Sequence, residues 1–298
     1  MEKEYKSALI FSSFIIKIIA IVTMTVDHVG WLLSDMVGYN YWVVFVCRLI
    51  GRIALPLFCF MIAEGMMHTK KAGNYFLRLG IMATLIAGVL IFVEYVPLFE
   101  GMSLRNEGNI FIDLLLGALA IYALKQKEWY FKILAIIPLG ISILAFILMG
   151  MEASNNMLIH WFPFFLRPQY QFFSVGLIIL YYVAHLLKDL FIQQYSKNSG
   201  IPVESLKGTT TEQFAYNLFA FAMTVFMTIG FYLLTFVLPA PYVFWQPEMQ
   251  NAAIIAGAFI LLYNGKRGYN AKWFQYGCYL YYPLHLLLIF GIGALLSL

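Results

Sequence analysis

Long apolar segments follow one another along the whole chain, and this feature limits the possible fold most strongly. Several of them reach the roughly 20 residues that an α-helix needs to cross the core of a bilayer. Only 11% of the 298 residues are charged and 62% are hydrophobic, whereas a soluble domain carries roughly 25% charged residues. The apolar runs are continuous rather than alternating, unlike the strands of a membrane β-barrel. The sequence therefore predicts an all-α polytopic membrane protein.

The apolar pattern predicts about nine transmembrane helices in a single helical bundle, and hence one domain over residues 1–298. The fourth and eighth spans are short. Segment 157–167 is too short to span and is expected to be an aromatic-rich interfacial or re-entrant piece. The polar stretch 188–212 is expected to be a flexible cytoplasmic loop. The predicted spans are 9–33, 41–66, 76–98, 109–124, 130–150, 168–187, 213–238, 251–263 and 272–296.

The distribution of charge predicts how the bundle is oriented. With nine spans, the loops rich in lysine and arginine all fall on one side, and the positive-inside rule then places the N-terminus in the cytoplasm. The net charge of +4 is spread over short loops, without the dense basic cluster of a nucleic-acid-binding protein, so no nucleic-acid partner is expected. We expect a multi-pass protein of the bacterial cytoplasmic membrane, in contact with membrane lipids.

Ionisable residues inside the predicted spans point to a site. Such groups usually face the interior of a bundle and mark a pathway or a chemical site. Asp27 and His28 are adjacent in the first span, and the helical rise places them in the outer half of the membrane. Polar residues of three other spans lie at similar depth, which predicts a water-accessible cavity with both signs of charge. These residues are Arg48, Arg52, Asn109, Asp113 and His285.

His28 is the preferred catalytic residue, because a neutral imidazole can take a proton from an amine or a hydroxyl. The alternative is a structural histidine. Asp27 could orient that ring, but adjacent helical positions diverge by about 100°, so Asp27 could instead pair with Arg48 or Arg52. The two arginines could stabilise an oxyanion or bind an anionic group, or they could neutralise Asp27 and Asp113.

Four residues are candidate substrate contacts. Asn109 and Asp113, four residues apart, could equally form the N-terminal cap of the fourth span. Tyr282 and His285 lie a little past the middle of the last span, where His285 could also be a helix-packing residue.

The remaining ionisable groups receive less weight. Glu64 and His68 share a face near the inner end of the second span and are interpreted as an interfacial pair. His160 and His185 are placed at the interface. HExxH and CxxC patterns are absent, so no metal is expected.

Five segments together resemble the TraX family: KIIAIVTMTVDHVG, RLIGRIALPLFCFMIAEG, NIFIDLLLGALAIYAL, LLYNGKRG and YYPLHLLL. The founding member of that family is described as the acetylase of conjugative F-pilin. The family is similar in turn to the acyltransferase type 3 group, whose hallmark is an arginine and a histidine with ten residues between them on the first helix. Lys17 and His28 have this spacing here, with a lysine that keeps the charge but loses the bidentate fork of arginine.

The resemblance implies a membrane acetyltransferase that uses cytoplasmic acetyl-CoA and modifies an acceptor reached from outside. His28 takes the catalytic position, as general base or as transient acetyl carrier. The acceptor stays open between a peptide amine, a glycan and a lipid. Cations at the cytoplasmic rim would hold the CoA phosphates, although topology signalling is their alternative use. The candidate cofactor-binding residues are Lys17, Lys70, Lys71, Arg78, Lys266 and Arg267.

Two other classes of protein fit the same sequence. A small-molecule transporter or permease would also place polar residues inside its bundle, although no obvious inverted repeat is visible. A non-catalytic assembly factor of the cell envelope is the third alternative.

Overall fold

The described part of the chain is helical. The computed structural model describes residues 9–35, 41–96, 108–155, 159–234, 236–238 and 247–296. Within these ranges it has no strand beyond an isolated bridge between Phe11 and Tyr263, and the predicted all-α fold is confirmed. The helices are α1 (Ser13–Asp35), α2 (Tyr41–Gly51), α3 (Ala54–His68), α4 (Ala72–Tyr95), α5 (Ile110–Leu124), α6 (Trp129–Ile133), α7 (Ile136–Asn155), α8 (Gln171–Ser199), α9 (Val203–Leu206), α10 (Thr210–Leu234), α11 (Pro247–Gln250), α12 (Ile254–Leu261) and α13 (Lys272–Leu296).

Seven helical segments among the described residues are long and apolar enough to cross a membrane. One of them is formed by α2 and α3 together. Two further apolar helices, Ile110–Leu124 and Asn251–Leu261, are shorter than a span and occupy the positions of the fourth and eighth predicted spans. These lengths support a multi-pass membrane protein. The count of nine spans and the cytoplasmic N-terminus stay predictions.

The second membrane segment is broken in its middle. Arg52 N and Ile53 N hydrogen-bond to carbonyls three residues back, at Leu49 (3.3 Å) and Ile50 (3.2 Å), which is the tighter pattern of a 3₁₀ turn. Pro56 causes the break, because it lacks the N–H that would bind the Arg52 carbonyl in a continuous helix. The predicted span is therefore two helices joined at Arg52.

The prediction of a flexible loop at 188–212 is wrong for most of that stretch. Helix α8 continues to Ser199 and ends at Gly200, whose φ of +72° is the left-handed conformation that favours glycine. The short helix α9 follows, and α10 begins at Thr210. The polar sequence marks the exposed turns of a long helix rather than an irregular loop.

Helices α1 and α2 approach each other closely through two glycines. A Cβ atom on Gly30 would lie 2.6 Å from Cys47 Cβ, and one on Gly51 would lie 2.2 Å from Asp27 Cβ. Small residues commonly permit such close contact between membrane helices. The contact sets Asp27 against the end of α2, next to the break at Arg52.

The aromatic segment before α8 folds around one arginine. Residues 156–158 lie outside the described ranges. Arg167 is only 2% exposed. Its guanidinium pairs with Glu152 of α7 and donates to the carbonyls of Ile159 and Phe162. This buried pairing fixes the connection between α7 and α8.

Helix α3 lies at the centre of the bundle, in contact with α1, α5, α8 and α12. Its Phe60 is almost fully buried and packs edge-to-face on Tyr181 and Tyr263. Because α3 touches so many elements, side chains along its length reach a space shared by several helices.

Candidate functional site

Two histidines from the first and last helices form a pair. His28 Nδ1 lies 2.7 Å from His285 Nε2, and the rings are nearly parallel with centroids 4.9 Å apart. His285 Nδ1 lies 2.9 Å from the Tyr281 carbonyl, which can only accept. In the neutral pair, His285 Nδ1 therefore carries a proton and its Nε2 accepts from His28 Nδ1–H. This leaves the lone pair of His28 on Nε2, the form that a general base requires.

Asp27 is paired with the two arginines, which is one of the alternatives left open by the sequence. Its Oδ2 lies 3.2 Å from Arg48 Nη1 and its Oδ1 lies 3.0 Å from Arg52 Nη2. The side chains of Asp27 and Arg52 are 8% and 4% exposed, whereas that of Arg48 is 20% exposed. The carboxylate therefore neutralises the arginines rather than orienting His28.

Asn109 and Asp113 are engaged within the fold. Asn109 caps α5 by accepting from Phe111 N at 3.1 Å, and its Nδ2 donates to a backbone carbonyl of α4. Asp113 accepts from Tyr170 N at 3.0 Å and from the Ser174 hydroxyl. Both residues are 0% exposed. We therefore assign them to the scaffold instead of the predicted substrate contacts.

A cavity of about 430 Å³ lies between α1, α3, α4, α5 and α13. Cationic side chains from the ends of these helices and from the connection before α13 line one part of it, which we call the basic mouth. The other part is lined by apolar residues further along the same helices. The basic mouth consists of Lys17, Arg78 and Arg267, with His68 beside them, and the apolar part includes Met24, Phe58, Phe111, Leu114 and Tyr282.

The structure brings half of the predicted cofactor-binding residues to this cavity. Lys17, Arg78 and Arg267 line it. The other three residues lie in the turns beside the basic mouth. Their side chains are exposed and do not line the cavity. These three are Lys70, Lys71 and Lys266.

The NGKRG segment forms one wall of the basic mouth. Ser13 N and Phe14 N donate to the carbonyls of Lys266 (2.8 Å) and Arg267 (3.1 Å), so the segment is tied to the start of α1. Gly268 has a φ of +67°, and a Cβ atom there would lie 2.4 Å from a side-chain oxygen of Ser12. The glycine and the backbone bonds hold Arg267 at the mouth.

A second, smaller cavity of about 50 Å³ lies beside the histidine pair. Asp27, His28, Trp31, Arg48 and Tyr282 are among its lining residues. Tyr282 lines both cavities. Its ring stands edge-on to the histidines, with its centroid 6.2 Å from that of His28 and 5.3 Å from that of the neighbouring histidine of α13. The Tyr282 ring therefore separates the large cavity from the histidine pair.

A buried carboxylate–histidine pair was missed by sequence reasoning. Glu64 Oε1 lies 2.8 Å from His185 Nε2, and the Tyr216 ring stacks on His185 at 3.9 Å. The predicted partner of Glu64 was wrong, because His68 contacts only its backbone carbonyl. His185 is 7% exposed and is buried rather than interfacial. The paired residues are 121 positions apart, so no local pattern could have signalled their contact.

Comparisons with known proteins agree with the sequence resemblance. The chain is 33% identical over 115 residues to the probable fimbrial assembly protein FimC, serogroup H1, of Dichelobacter nodosus, a match covering 37% of this chain and 46% of that protein. It is 28% identical over 170 residues to an uncharacterised protein of Rickettsia prowazekii (strain Madrid E), covering 57% and 54%.

The chain thus spans about half the length of these curated relatives. No solved structure matches it. The family model described as "TraX protein" matches residues 12–230, a range that contains the first histidine of the pair, both arginines and the central helix α3. This match covers well over half of the chain, and the chain therefore belongs to the TraX family.

Proposed function

We propose that this protein is a membrane-embedded acetyltransferase of the bacterial cytoplasmic membrane. It would move an acetyl group from cytoplasmic acetyl-CoA to an amine or hydroxyl of an acceptor reached from the outer side. The observation that carries the proposal is the cavity that leads from the basic mouth to the Tyr282 ring beside the histidine pair. Phosphates bind well to such clusters of cationic side chains. An elongated thioester with a phosphorylated head fits this distribution of charge.

His28 Nε2 takes the acceptor proton in the proposed reaction. As that proton leaves, the acceptor nitrogen or oxygen attacks the thioester carbonyl carbon and forms a tetrahedral oxyanion. The oxyanion collapses, the C–S bond breaks, and His28 returns the proton to the departing thiolate. His285 accepts the His28 Nδ1–H bond throughout and keeps the imidazole in the required tautomer. The products are the acetylated acceptor and CoA. If His28 is instead a transient acetyl carrier, its Nε2 attacks the thioester carbonyl and the C–S bond breaks to release the CoA thiolate. The acceptor then attacks the acetyl-imidazole, the C–N bond to His28 breaks, and the acceptor proton passes to the thiolate.

Arg48 is the better placed of the two arginines to contact substrate. It lines the small cavity with His28 and is partly exposed, so it could donate to the oxyanion or to an anionic group of the acceptor. Arg52 is almost completely buried against Asp27 and does not line that cavity. We therefore assign Arg52 to holding Asp27 and the bend between α2 and α3.

The acceptor is proposed to belong to the cell envelope. The relative in Dichelobacter nodosus is named for fimbrial assembly, and the family resemblance points to pilin acetylation. These two indications favour a peptide amine of a surface-appendage subunit as the first acceptor to test. A glycan hydroxyl and a lipid are the alternatives.

Protection of Cys278 from alkylation tests whether acetyl-CoA enters the cavity. Cys278 lines the cavity on the same face of α13 as Gln275 and Tyr282, whereas Cys47 packs against α1 and does not line it. We expect saturable protection of Cys278 from a water-soluble alkylating reagent, with Cys47 labelling unchanged, as measured by mass spectrometry of the purified protein. Equal labelling of Cys278 with and without saturating acetyl-CoA would contradict the proposal, and flux of the compound across liposomes would favour the permease.

A further inference from the structure

The cavity that carries the basic mouth also contains a carboxylate. Glu64 lies on α3 one helical turn before His68, about 6 Å further into the bundle, and both residues line the cavity. One carboxylate oxygen of Glu64 contacts His185. An ionised carboxylate offers about four acceptor sites on its two oxygens. The hydroxyls of Tyr216 and Tyr263 also lie within hydrogen-bonding reach of this carboxylate, so about one acceptor site remains for a group in the cavity that Glu64 lines.

The surroundings of Glu64 hold its carboxylate in place. His185 is fixed by the Tyr216 ring that stacks on it. On the cavity side, the Tyr263 hydroxyl lies 2.9 Å from the Ser13 hydroxyl, and both of these residues line the cavity with Glu64. The cluster is contributed by α1, α3, α8, α10 and the segment after α12. The Glu64 side chain is 12% exposed and paired with His185, so its oxygens are held in a defined position.

The position of this negative charge limits which part of a ligand can pass it. Two like charges a few ångströms apart repel each other strongly where water is scarce. A phosphorylated ligand is therefore expected to keep its phosphates at the basic mouth rather than beyond Glu64. The part of the ligand that continues toward Tyr282 must be uncharged, and its N–H or O–H groups would find an acceptor in Glu64.

We propose that Glu64 recognises the acyl donor by accepting a hydrogen bond from an amide N–H or a hydroxyl of the arm that joins its phosphorylated head to its thioester. This inference rests on the proposed function and adds a specificity residue to it. The chemical class of donor is an acyl thioester on an amide-containing, pantetheine-type arm. His185 is a positioning residue, because it acts only by orienting the carboxylate.

Binding of two probes to the Glu64→Gln variant separates recognition of the arm from recognition of the head. Acetyl-CoA carries both parts, whereas adenosine 3′,5′-bisphosphate carries the phosphorylated nucleotide without the arm. A hydrogen bond to a charged group contributes about 1.5–3 kcal/mol. We expect acetyl-CoA to bind about tenfold or more weakly to the purified variant and the affinity for adenosine 3′,5′-bisphosphate to stay unchanged, as measured by isothermal titration calorimetry.

Glu212→Gln is the matched control. Glu212 is also a paired glutamate, 2.9 Å from Lys188, but it does not line the cavity, so both affinities should stay at the wild-type value. If Glu64→Gln does not fold, Glu64→Asp keeps the charge and withdraws it by one methylene, and the same selective loss is expected.

Three results would overturn the inference. An unchanged affinity of the folded Glu64 variant for acetyl-CoA would show that the arm does not contact this carboxylate. An equal loss for both probes would show a general effect on the cavity, and the proposed function would stand in either case. Failure of the wild-type protein to bind acetyl-CoA would instead remove the proposed function itself, and this inference with it.

Discussion

At the scale of single residues, the tautomer of His28 is set by a second histidine instead of a carboxylate. In the Ser-His-Asp arrangement, an aspartate accepts the Nδ1–H bond of the catalytic histidine and fixes its orientation. Here His285 Nε2 accepts that bond, and the Tyr281 carbonyl fixes His285 in turn. Asp27, although adjacent to His28 in sequence, is directed toward the arginines by the helical twist.

Substitution of His285 tests this positioning role. Because His285→Ala removes the acceptor for His28 Nδ1–H, we expect acetyl transfer to fall by up to about 10⁴-fold with acetyl-CoA affinity retained. His285→Gln, whose side-chain carbonyl can accept the same bond, should recover part of the rate. The rate as a function of pH should also change in the alanine variant, since the environment of His28 changes. Wild-type kinetics in His285→Ala would exclude the role.

Removal of the Asp27 carboxylate tests the buried ion pairs. In Asp27→Asn, the guanidinia of Arg48 and Arg52 lose the charge that they share, and breaking a buried pair typically destabilises a protein by about 3–5 kcal/mol. We expect a clearly lower midpoint of thermal unfolding in detergent. Asp189→Asn removes a partner of Lys188 at an exposed position and should change stability by less than about 1 kcal/mol. Equal midpoints for the two variants would contradict the account.

At the scale of secondary-structure elements, the α1–α2 contact brings the ionisable groups together. Asp27 lies on α1 and Arg48 on α2, and the break at Arg52 turns its side chain toward the same carboxylate. The absence of a side chain at Gly51 is what permits this approach, because a Cβ atom there would overlap Asp27. The site therefore depends on the packing of two helices as much as on its charged residues.

Gly51→Ala is predicted to separate α1 from α2. The added methyl would meet Asp27 Cβ at 2.2 Å, and such overpacking typically destabilises by about 1–3 kcal/mol. Gly88→Ala in α4 is the control, since a Cβ atom there has no neighbour within 4 Å and alanine is the better helix former. Thermal unfolding of the purified proteins distinguishes the two variants. We expect a lower unfolding midpoint for Gly51→Ala only, and an unchanged midpoint of Gly51→Ala would be inconsistent with the packing.

The sequence predicts elements with local signals much better than contacts between distant residues. Continuous apolar runs locate the helices, and Pro56 marks the bend after Arg52 because the missing N–H is a property of one residue. The helix over residues 188–199 is not predicted, since its polar composition resembles that of a loop. The Glu64–His185 pair is not predicted either, because it exists only once α3 and α8 pack together.

For the individual site residues, the sequence likewise predicts some properties but not their contacts. Their depth in the membrane follows from helical rise, so the sequence predicts that His28 and His285 lie at a similar level. The hydrogen bond between them depends on the rotation of α1 and α13 about their axes, which spacing alone does not determine. Likewise, the sequence leaves Asn109 open between cap and substrate contact, and only the packing of α5 against α4 shows where its side chain is engaged.

At the scale of the whole molecule, two cavities meet at the Tyr282 ring. The larger one opens at the basic mouth, and the smaller one lies beside His28 and Arg48. With the predicted orientation, the mouth faces the cytoplasm and the histidine pair lies in the outer half of the membrane. Donor and acceptor would then approach from opposite sides of the bundle, and only the acetyl group would pass from one side to the other.

Acetyl transfer by the His28→Ala variant tests the central claim most directly. The measurement is the transfer of labelled acetyl from acetyl-CoA to envelope material by purified protein, with acetyl-CoA affinity determined in the same preparation. His160→Ala is the matched control, because His160 is exposed and lines neither cavity. A general base contributes about 10²- to 10⁴-fold to the rate. We therefore predict that His28→Ala loses acetyl transfer by at least this factor while it binds acetyl-CoA as the wild type does. His160→Ala should keep full acetyl transfer. Near wild-type transfer by folded His28→Ala would contradict the account.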